Sequence, residues 1–310
     1  MKIGIQTRGI VDILGPEKGY ALIRKAGFDG VDWSLDLSIK ESDLFNGKYK
    51  GTCIFEKPLD EVKSYFEKDI NAIKKNHLSV LQAHAIFPSY VLDKDDVLDY
   101  VKKIDTRTIE ICGEVGCSIL VVHGIHSYPW DHKRTLTEVR EMNIAFYSSL
   151  IPSMIENNVT VCLENLFIRR NGNNLIMDGC CSDPLQAVQL IDTLNDIAGK
   201  EIFGLCLDTG HLNLLRRDPR VYINTLGKRI KATHLNDNDG INDMHKAPFS
   251  GDVDWKAICD SFRSVGYLEN LSFETFLQTG DAIEFNEELA LPWLKVIYSC
   301  GEAFAERIKG

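Results

Sequence analysis

The stretch that decides the fold reads IKATHLNDNDGINDMHKAPFSGDVDW and covers residues 230–255. A short apolar run ends on His234, a loop rich in Asp and Asn follows, and Asp243 and His245 come two positions apart. An apolar run that stops at a histidine is typical of a buried strand whose C-terminal end presents an imidazole. The Asp-x-His pair can offer a carboxylate and an imidazole to one divalent cation. Taken alone, the stretch fits equally well a solvated loop after a strand, with His234 hydrogen-bonded in the core.

Five other short apolar runs also end on a residue type that binds metal ions. Successive run ends lie 26 to 44 residues apart, and most of these spacings are the length of one strand and one helix. Chance rarely produces such a series, so it favours a functional reason for the pattern. The six residues at the run ends are His84, His123, Glu164, Asp208, His234 and Glu274, and His211 follows Asp208 by one helical turn.

The whole chain alternates between short apolar runs and helical patterns, which predicts eight strands and eight helices. Eight parallel βα units close into a (β/α)8 TIM barrel of the α/β class, with the site at the C-terminal ends of the strands. A doubly wound open sheet is the alternative, but it would not bring six successive strand ends to one point. We expect one domain over residues 1–310. The predicted strands are Lys2–Gln6, Gly30–Trp33, Leu78–His84, Ser118–His123, Val159–Glu164, Ile202–Asp208, Ile230–His234 and Asn270–Glu274.

Composition narrows the class of protein. The 310 residues are 44% hydrophobic and carry a net charge of −10, which argues against a protein that neutralises nucleic-acid phosphates. The nine cysteines contain no Cys-x-x-Cys pair, and several lie within apolar runs, as reduced buried thiols do. Since neither a secretory signal nor an apolar run of membrane-spanning length is visible, we expect a cytoplasmic protein without a membrane partner.

Two connections are unusually long. Residues 34–57 carry aromatic residues among charges and glycines, and a connection of this length with exposed aromatic side chains suggests a lid or a wall of a binding site. Residues 165–181 are expected to form a loop. Core packing is the alternative for each aromatic side chain that could form an apolar wall of a binding site. These candidates are Phe45, Phe55, Phe87, Tyr128, Trp130 and Phe167.

Closure of the barrel would bring several carboxylates into one cleft, where they would repel one another strongly. A divalent cation would neutralise them. A set of mostly oxygen ligands with an imidazole suits Mn²⁺, Mg²⁺, Co²⁺ or Zn²⁺, and the sequence does not select among these ions.

The order and spacing of several motifs resemble the xylose isomerase-like TIM barrel superfamily, which includes sugar isomerases, sugar epimerases and endonuclease IV. The resemblance extends along essentially the whole chain. Each motif is weak alone, but together they are specific for the superfamily and less so for one activity. The motifs are AGFDGVD (26–32), LEN (163–165), LDTGH (207–211), HLNDNDG (234–240), the Asp243-x-His245 pair, GDVDW (251–255) and FET (273–275).

The resemblance implies roles for individual residues. It implies that one divalent metal ion is bound by Glu164, Asp208, His234 and Glu274, and that the two glutamates also act as acid and base. It implies that His211 contacts the substrate, whereas His84 and His123 either hydrogen-bond the substrate or bind metal. Asp243 and His245 either bind a second metal or order their loop. Together with His84, His123 and His211, they match positions that hold additional zinc ions in endonuclease IV.

We therefore expect a metal-dependent isomerase or epimerase of a sugar, sugar phosphate or cyclitol, working through an enediolate. A polyol dehydratase or lyase and a phosphodiesterase similar to endonuclease IV are the alternatives. The expected partner is a small carbohydrate rather than nucleic acid, and the chain could form a homo-oligomer. The loop after His234 offers Asp and Asn where the ketose 3-epimerases have an arginine for the sugar, so the resemblance does not imply a particular substrate.

Overall fold

The computed structural model describes residues 1–128, 131, 133–170 and 175–310. Trp130, one of the aromatic candidates, lies outside these residues. The strands are β1 Ile3–Gln6, β2 Gly30–Ser34, β3 Ser79–His84, β4 Ile119–Val121, β5 Thr160–Glu164, β6 Phe167–Arg170, β7 Leu175–Asp178, β8 Phe203–Asp208, β9 Ile230–His234 and β10 Leu271–Phe273. The helices are α1 Val11–Leu14, α2 Pro16–Ala26, α3 Glu41–Asn46, α4 Leu59–Tyr65, α5 Glu67–Lys75, α6 Asp95–Val115, α7 Leu136–Ser148, α8 Ile151–Asn157, α9 Pro184–Ala198, α10 Thr209–Leu214, α11 Pro219–Leu226, α12 Trp255–Ser264, α13 Phe276–Phe285 and α14 Ala290–Lys309.

Eight parallel strands form the barrel, in the order β10-β1-β2-β3-β4-β5-β8-β9. A parallel bridge between Leu235 and Phe273 closes the remaining seam between β9 and β10. There the amide of Leu235 donates to the carbonyl of Ser272 at 2.8 Å, and the amide of Glu274 donates to the carbonyl of Leu235 at 3.1 Å. The predicted (β/α)8 barrel is therefore confirmed, with each barrel strand within two residues of its expected bounds.

The strand faces explain why the polar strand ends converge. Helices cover the outside of the barrel, so strands such as β1 and β8 are buried along their whole length. Residues two apart in a strand share a face. Cys162, Cys206 and Ala232 precede Glu164, Asp208 and His234 by two positions, and with Val121 they pack as a small core cluster. This apolar layer lies on the face that carries the polar strand ends.

Two expectations about the long connections are wrong. The connection expected as a loop contains two strands, since β6 and β7 pair antiparallel with Ile168 opposite Met177. In the connection 34–57, Tyr49 and Phe55 are not exposed, because both pack within the hydrophobic core at 1% and 2% exposure. Phe45, at 47% exposure, is the exposed aromatic side chain of that connection. The connection therefore packs onto the core through Tyr49 and Phe55, and its role as a lid or a wall of a binding site stays a prediction.

All nine cysteines are free. Across the described ranges, no helix is both long enough and apolar enough to cross a membrane.

Asp105 on α6 offers a test of the packing around the barrel. Its side chain is fully buried, and neither carboxyl oxygen has a hydrogen-bond partner among the described residues. Burial raises the pKa of Asp105 well above its usual value, so the folded chain keeps the carboxyl neutral at pH values where the unfolded chain ionises it. This difference lowers stability as the pH rises above about 4.

We expect Asp105→Asn, which has the same shape without the titrating proton, to become more stable than the parent as the pH rises. The gain should grow by on the order of 1 kcal/mol per pH unit until the folded-state pKa is reached. Urea unfolding at pH 5, 6, 7 and 8 measures it, and a difference independent of pH would contradict the assignment. The single domain over residues 1–310 stays a prediction. It requires that the chain unfolds in urea in one cooperative transition.

Candidate metal centre

The four residues predicted to bind a metal lie together at the C-terminal mouth of the barrel. Glu164, Asp208 and His234 are the last residues of β5, β8 and β9, and Glu274 directly follows β10. All four are buried, with exposures of 0% to 6%. Ligand atoms of Glu164, Asp208 and His234 lie within 4.8 Å of one another, as do those of His84, His234 and Glu274. His234 belongs to both groups.

Glu164 is surrounded by imidazoles. His123 Nε2 lies 3.1 Å and His84 Nε2 3.7 Å from Glu164 Oε2, while His211 Nδ1 and His234 Nδ1 lie 3.3 and 3.4 Å from Oε1. The predicted substrate-contacting residues His84, His123 and His211 therefore all face this one carboxylate. Burial opposes ionisation of Glu164, but His234 and His123 outweigh it and hold the pKa of that carboxyl well below its usual range.

The hydrogen bonds of His234 fit a cation ligand. Its Nε2 lies 3.0 Å from Asp32 Oδ2. Its Nδ1 lies 3.4 Å from Glu164 Oε1 and 3.6 Å from Glu274 Oε2, is buried, and has no hydrogen-bond partner among the described residues. Ligand atoms that share one cation at about 2.0–2.2 Å lie roughly 3 to 3.5 Å apart. The donor set thus fits a divalent ion, and Asp32 orients the imidazole as carboxylates do behind metal-binding histidines.

Asp208 and Glu274 are held in place by their neighbours. Asp208 accepts hydrogen bonds from the backbone amide of His211 at 2.7 Å and from the Asn236 amide at 2.8 Å. Burial raises the pKa of Asp208 to about 7, against the opposing effect of His211. Glu274 accepts from Gln6 Nε2 at 2.8 Å through Oε1, which leaves Oε2 facing the cleft histidines.

A second group of possible ligands lies beside the first. Atoms of His211, Asp243 and His245 lie within 4.8 Å of one another, and His245 Nε2 is 3.1 Å from Asp243 Oδ2. His245 Nδ1 also lies 3.3 Å from Glu274 Oε2, which joins the two groups. A third group consists of His84, His123 and Glu164. All nine sequence-predicted residues thus meet in one cleft, although their roles as ligands or catalytic groups stay predictions.

The aromatic candidates separate into different environments. Phe87 lies against His123 at 4.9 Å between ring centroids, and Phe167 lies against His211 at 5.0 Å. Phe276, which the sequence did not suggest, lies against His245 at 4.4 Å. These three rings line the histidines, whereas Phe55 belongs to the core.

Sequence reasoning missed the polar residues that support the cleft. Asp32 stands inside the apolar run of β2, where an isolated carboxylate between Val31 and Trp33 was the available signal. Gln6 and Gln82 lie on strands, and a glutamine side chain gives no signal in the sequence that it supports a metal site. Gln82 Nε2 donates to Asp32 Oδ2 at 2.8 Å and thereby fixes the carboxylate that orients His234.

Asp237 and Asn238, in the polar loop after β9, are fully buried and serve the loop itself. Asp237 accepts from the Trp255 indole at 2.9 Å and from the amides of Asn238 and Val253 at 2.9 and 3.1 Å. The NDNDG and GDVDW segments therefore hold each other, and these carboxylate and amide groups are engaged within the loop.

Fold and site together define a (β/α)8 barrel with a candidate metal centre at the C-terminal ends of its strands. The profile of the xylose isomerase-like TIM barrel family matches residues 20–303, and the chain belongs to this family.

Individual proteins are more distant. An uncharacterized protein of Sinorhizobium fredii is 31% identical over 121 residues, which are 39% of this chain and 35% of that protein. The chain spans less than two thirds of the length of each of the first two curated relatives that it matches. Among solved structures, D-allulose 3-epimerase from Methylomonas sp. is 15% identical with a TM-score of 0.70, covering 99% of this chain and 98% of that one. The 3-keto-D-glucoside 4-epimerase of Escherichia coli is 20% identical with a TM-score of 0.65, covering 96% and 99%. At these identities the likeness concerns the fold.

The contact between Asp32 and His234 generates a prediction about cation affinity. Asp32→Asn removes the carboxylate that orients His234 without changing its size, so we expect the affinity for Mn²⁺ to fall about 10- to 100-fold. Titration calorimetry of the metal-stripped protein measures the affinity. Glu306→Gln, an exposed carboxylate on α14, is the control and should bind as the parent does. Unchanged affinity in a folded Asp32→Asn protein would contradict the orienting role.

Proposed function

We propose that the chain is a divalent-metal-dependent isomerase or epimerase of a small carbohydrate. The observation that carries this proposal is that Glu164 and Glu274 both face His234 Nδ1, at 3.4 and 3.6 Å, from the ends of β5 and β10, with β8 and β9 between them in the barrel. Two carboxylates near one cation site are the groups needed to remove a proton from a sugar carbon and return it. The fold shared with two sugar epimerases supports the same class of reaction.

In this proposal Glu164, Asp208, His234 and Glu274 hold the ion, in agreement with the donor set described above. When bound, the cation would polarise the carbonyl and adjacent hydroxyl of an open-chain sugar and stabilise negative charge on the enediolate. Its identity among Mn²⁺, Mg²⁺, Co²⁺ and Zn²⁺ is left open.

The chain's own residues supply the proton transfers. Imidazoles counter the effect of burial and hold the pKa of both Glu164 and Glu274 below the usual range, so both carboxylates are ionised and able to accept a proton. One of these two glutamates removes the proton from the carbon next to the carbonyl. The same glutamate or the other one then returns a proton to a carbon of the sugar. His84, His123 and His211 are close enough to Glu164 to hydrogen-bond hydroxyls of a sugar bound beside it.

A phosphodiesterase is the second candidate, because His211, Asp243 and His245 could hold a further cation. Two or more cations across a phosphate are typical of nucleases. The net charge of −10 favours a carbohydrate over a polyanionic partner, and we propose no nucleic-acid or membrane partner. A cytoplasmic location and a homo-oligomer also stay predictions.

A substrate screen in deuterated water tests the proposed reaction. Ketoses, ketose phosphates and inososes are incubated with the protein and Mn²⁺, and substrate deuterium incorporation is followed by NMR. We expect exchange of one carbon-bound hydrogen and one tightly bound ion per chain. Three tightly bound zinc ions together with cleavage of abasic DNA would instead establish the phosphodiesterase.

We expect Glu164→Gln and Glu274→Gln each to reduce turnover by several orders of magnitude, because each change removes a proton carrier and a charge on the cation. Steady-state kinetics on the substrate found in the screen measures the loss. The exposed Glu306→Gln is the matched control and should retain parental rates. Near-full activity in either cleft variant would exclude a mechanism with two glutamates.

Removal of divalent metal with a chelator should abolish turnover while the barrel stays folded. The extensive apolar core supplies most of the stability, so the loss of one ion leaves the packing intact. Activity and thermal unfolding are measured before and after chelation and after Mn²⁺ is restored. Unfolding of the metal-stripped protein near room temperature would contradict this expectation.

A further inference from the structure

An ion pair at the rim of the mouth has no part in the proposed chemistry. Arg8 follows β1, and Asp36 lies in the short 3-10 turn Leu35–Ser38 after β2. Arg8 NH1 lies 3.4 Å from Asp36 Oδ2, and the Asp36 side chain is 4% exposed whereas that of Arg8 is 33% exposed. The second carboxyl oxygen of Asp36, Oδ1, is buried and has no hydrogen-bond partner among the described residues.

A short chain of contacts joins this pair to the candidate metal centre. The guanidinium of Arg8 lies 4.4 Å from the ring centroid of Phe276, and that ring lies 4.4 Å from the imidazole of His245. His245 Nδ1 in turn lies 3.3 Å from Glu274 Oε2. Asp36 also interacts electrostatically with His84 and with Glu274. The pair therefore borders the same cleft, beyond the ring of Phe276.

The backbone around Arg8 is held firmly in place. The amide of Arg8 donates to Ser34 Oγ at 3.0 Å, and the amide of Ser34 donates to Thr7 Oγ1 at 3.0 Å. Gly9 adopts φ +76°, and a Cβ at this position would lie 2.4 Å from the carbonyl oxygen of Phe276. Glycine is thus required for this close approach to the start of α13. This fixed backbone, together with the contacts of the guanidinium with Asp36 and Phe276, holds the group in place, as a binding group requires.

The hydrogen-bonding needs of the pair identify the ligand chemistry. An ionised carboxylate only accepts and a guanidinium only donates, so a ligand that satisfies both must carry a donor and an acceptor. A hydroxyl group is both. A phosphate or carboxylate group would bring acceptors against Asp36 and be repelled by its charge. The side chain of Arg8 makes no other hydrogen bond to the described residues, so it retains donors for a ligand.

We propose that Arg8 and Asp36 form a specificity subsite that binds the terminal hydroxyl of the sugar chain, on the side of Phe276 away from the reacting carbon. This inference rests on the proposed function. Asp36 Oδ1 accepts a hydrogen bond from the hydroxyl, and the guanidinium of Arg8 donates a hydrogen bond to the hydroxyl oxygen. The subsite selects a hydroxylated chain end over a deoxygenated or phosphorylated one, because only the hydroxyl satisfies both groups.

Paired substrates test the subsite. Kinetics with Mn²⁺ are measured on D-fructose, 6-deoxy-D-fructose and D-fructose 6-phosphate for the parent, Asp36→Asn, Asp36→Ala and Arg8→Met. We expect the parent to favour D-fructose over the other two by about 10-fold or more in kcat/KM. Asp36→Ala should lower kcat/KM for D-fructose about 10- to 100-fold, mainly through KM, and change the 6-deoxy sugar by less than about 3-fold. Asp36→Asn should reduce the difference in kcat/KM between D-fructose and D-fructose 6-phosphate, since it removes the negative charge that repels the phosphate group.

Glu114→Gln is the matched control, because Glu114 lies on the outer helix α6 and its replacement breaks an ion pair with Lys63 of α4. This variant should leave the ratios of kcat/KM among the three sugars unchanged. Equal losses for D-fructose and its 6-deoxy analogue would show that the pair only orders its loop and would overturn the subsite. A parent preference for the phosphate would also overturn it.

Direct binding separates this result from a failure of the proposed function. Titration calorimetry with D-glucitol and 6-deoxy-D-glucitol requires no turnover. If the parent converts no ketose but binds D-glucitol more tightly than the deoxy form, and Asp36→Ala removes that preference, the proposed reaction fails and the subsite stands. Absence of any preference between the two polyols overturns the subsite whatever the reaction is.

Discussion

The attraction between one buried carboxylate and four imidazoles is the interaction around which the cleft is built. Glu164 is 1% exposed, and His84, His123, His211 and His234 approach it within 3.1 to 3.7 Å. A carboxylate so far from water would be neutral without such partners. The imidazoles keep it ionised, and neighbouring carboxylates, against the opposing effect of burial, raise the pKa of His84, His211 and His234. The strands must therefore end where they do, because a shift by one residue would turn these groups into the helical layer.

Stability and function make opposing demands at this mouth. Below the polar strand ends, the small side chains of Cys162, Cys206 and Ala232 pack tightly, as a barrel interior requires. Above them, His234 Nδ1 and Asp32 Oδ1 are buried without hydrogen-bond partners among the described residues. Such groups cost stability. Their placement is understandable if a cation is expected at His234, because polar atoms left free in the protein are available to a ligand.

The parts of the structure that could be predicted from the sequence are the strands of the barrel, which recur at regular spacing. The strand ends at Glu164, Asp208 and His234 follow from apolar runs of regular spacing, and the barrel requires that such ends meet. The antiparallel pair of β6 and β7 was missed because it occurs once, outside the repeating strand and helix units, so no regular spacing points to it. Gln6 and Arg8 were missed for another reason: their importance comes from Glu274 and Phe276, which lie far away in sequence. Local patterns carry no information about such pairs.

The pairing of β1 with β10 also determines when the cleft can exist during synthesis. Gln6 and Glu274 are 268 positions apart, yet their side chains hydrogen-bond at 2.8 Å. The ribosome adds roughly 5 to 20 residues each second, so β1 waits about 10 to 60 seconds for its neighbour. Through that interval the edge of β1 is unpaired and open to contacts with other nascent chains. The four predicted metal ligands can come together only when β10 is added, so the candidate metal centre cannot be complete until translation has passed Glu274.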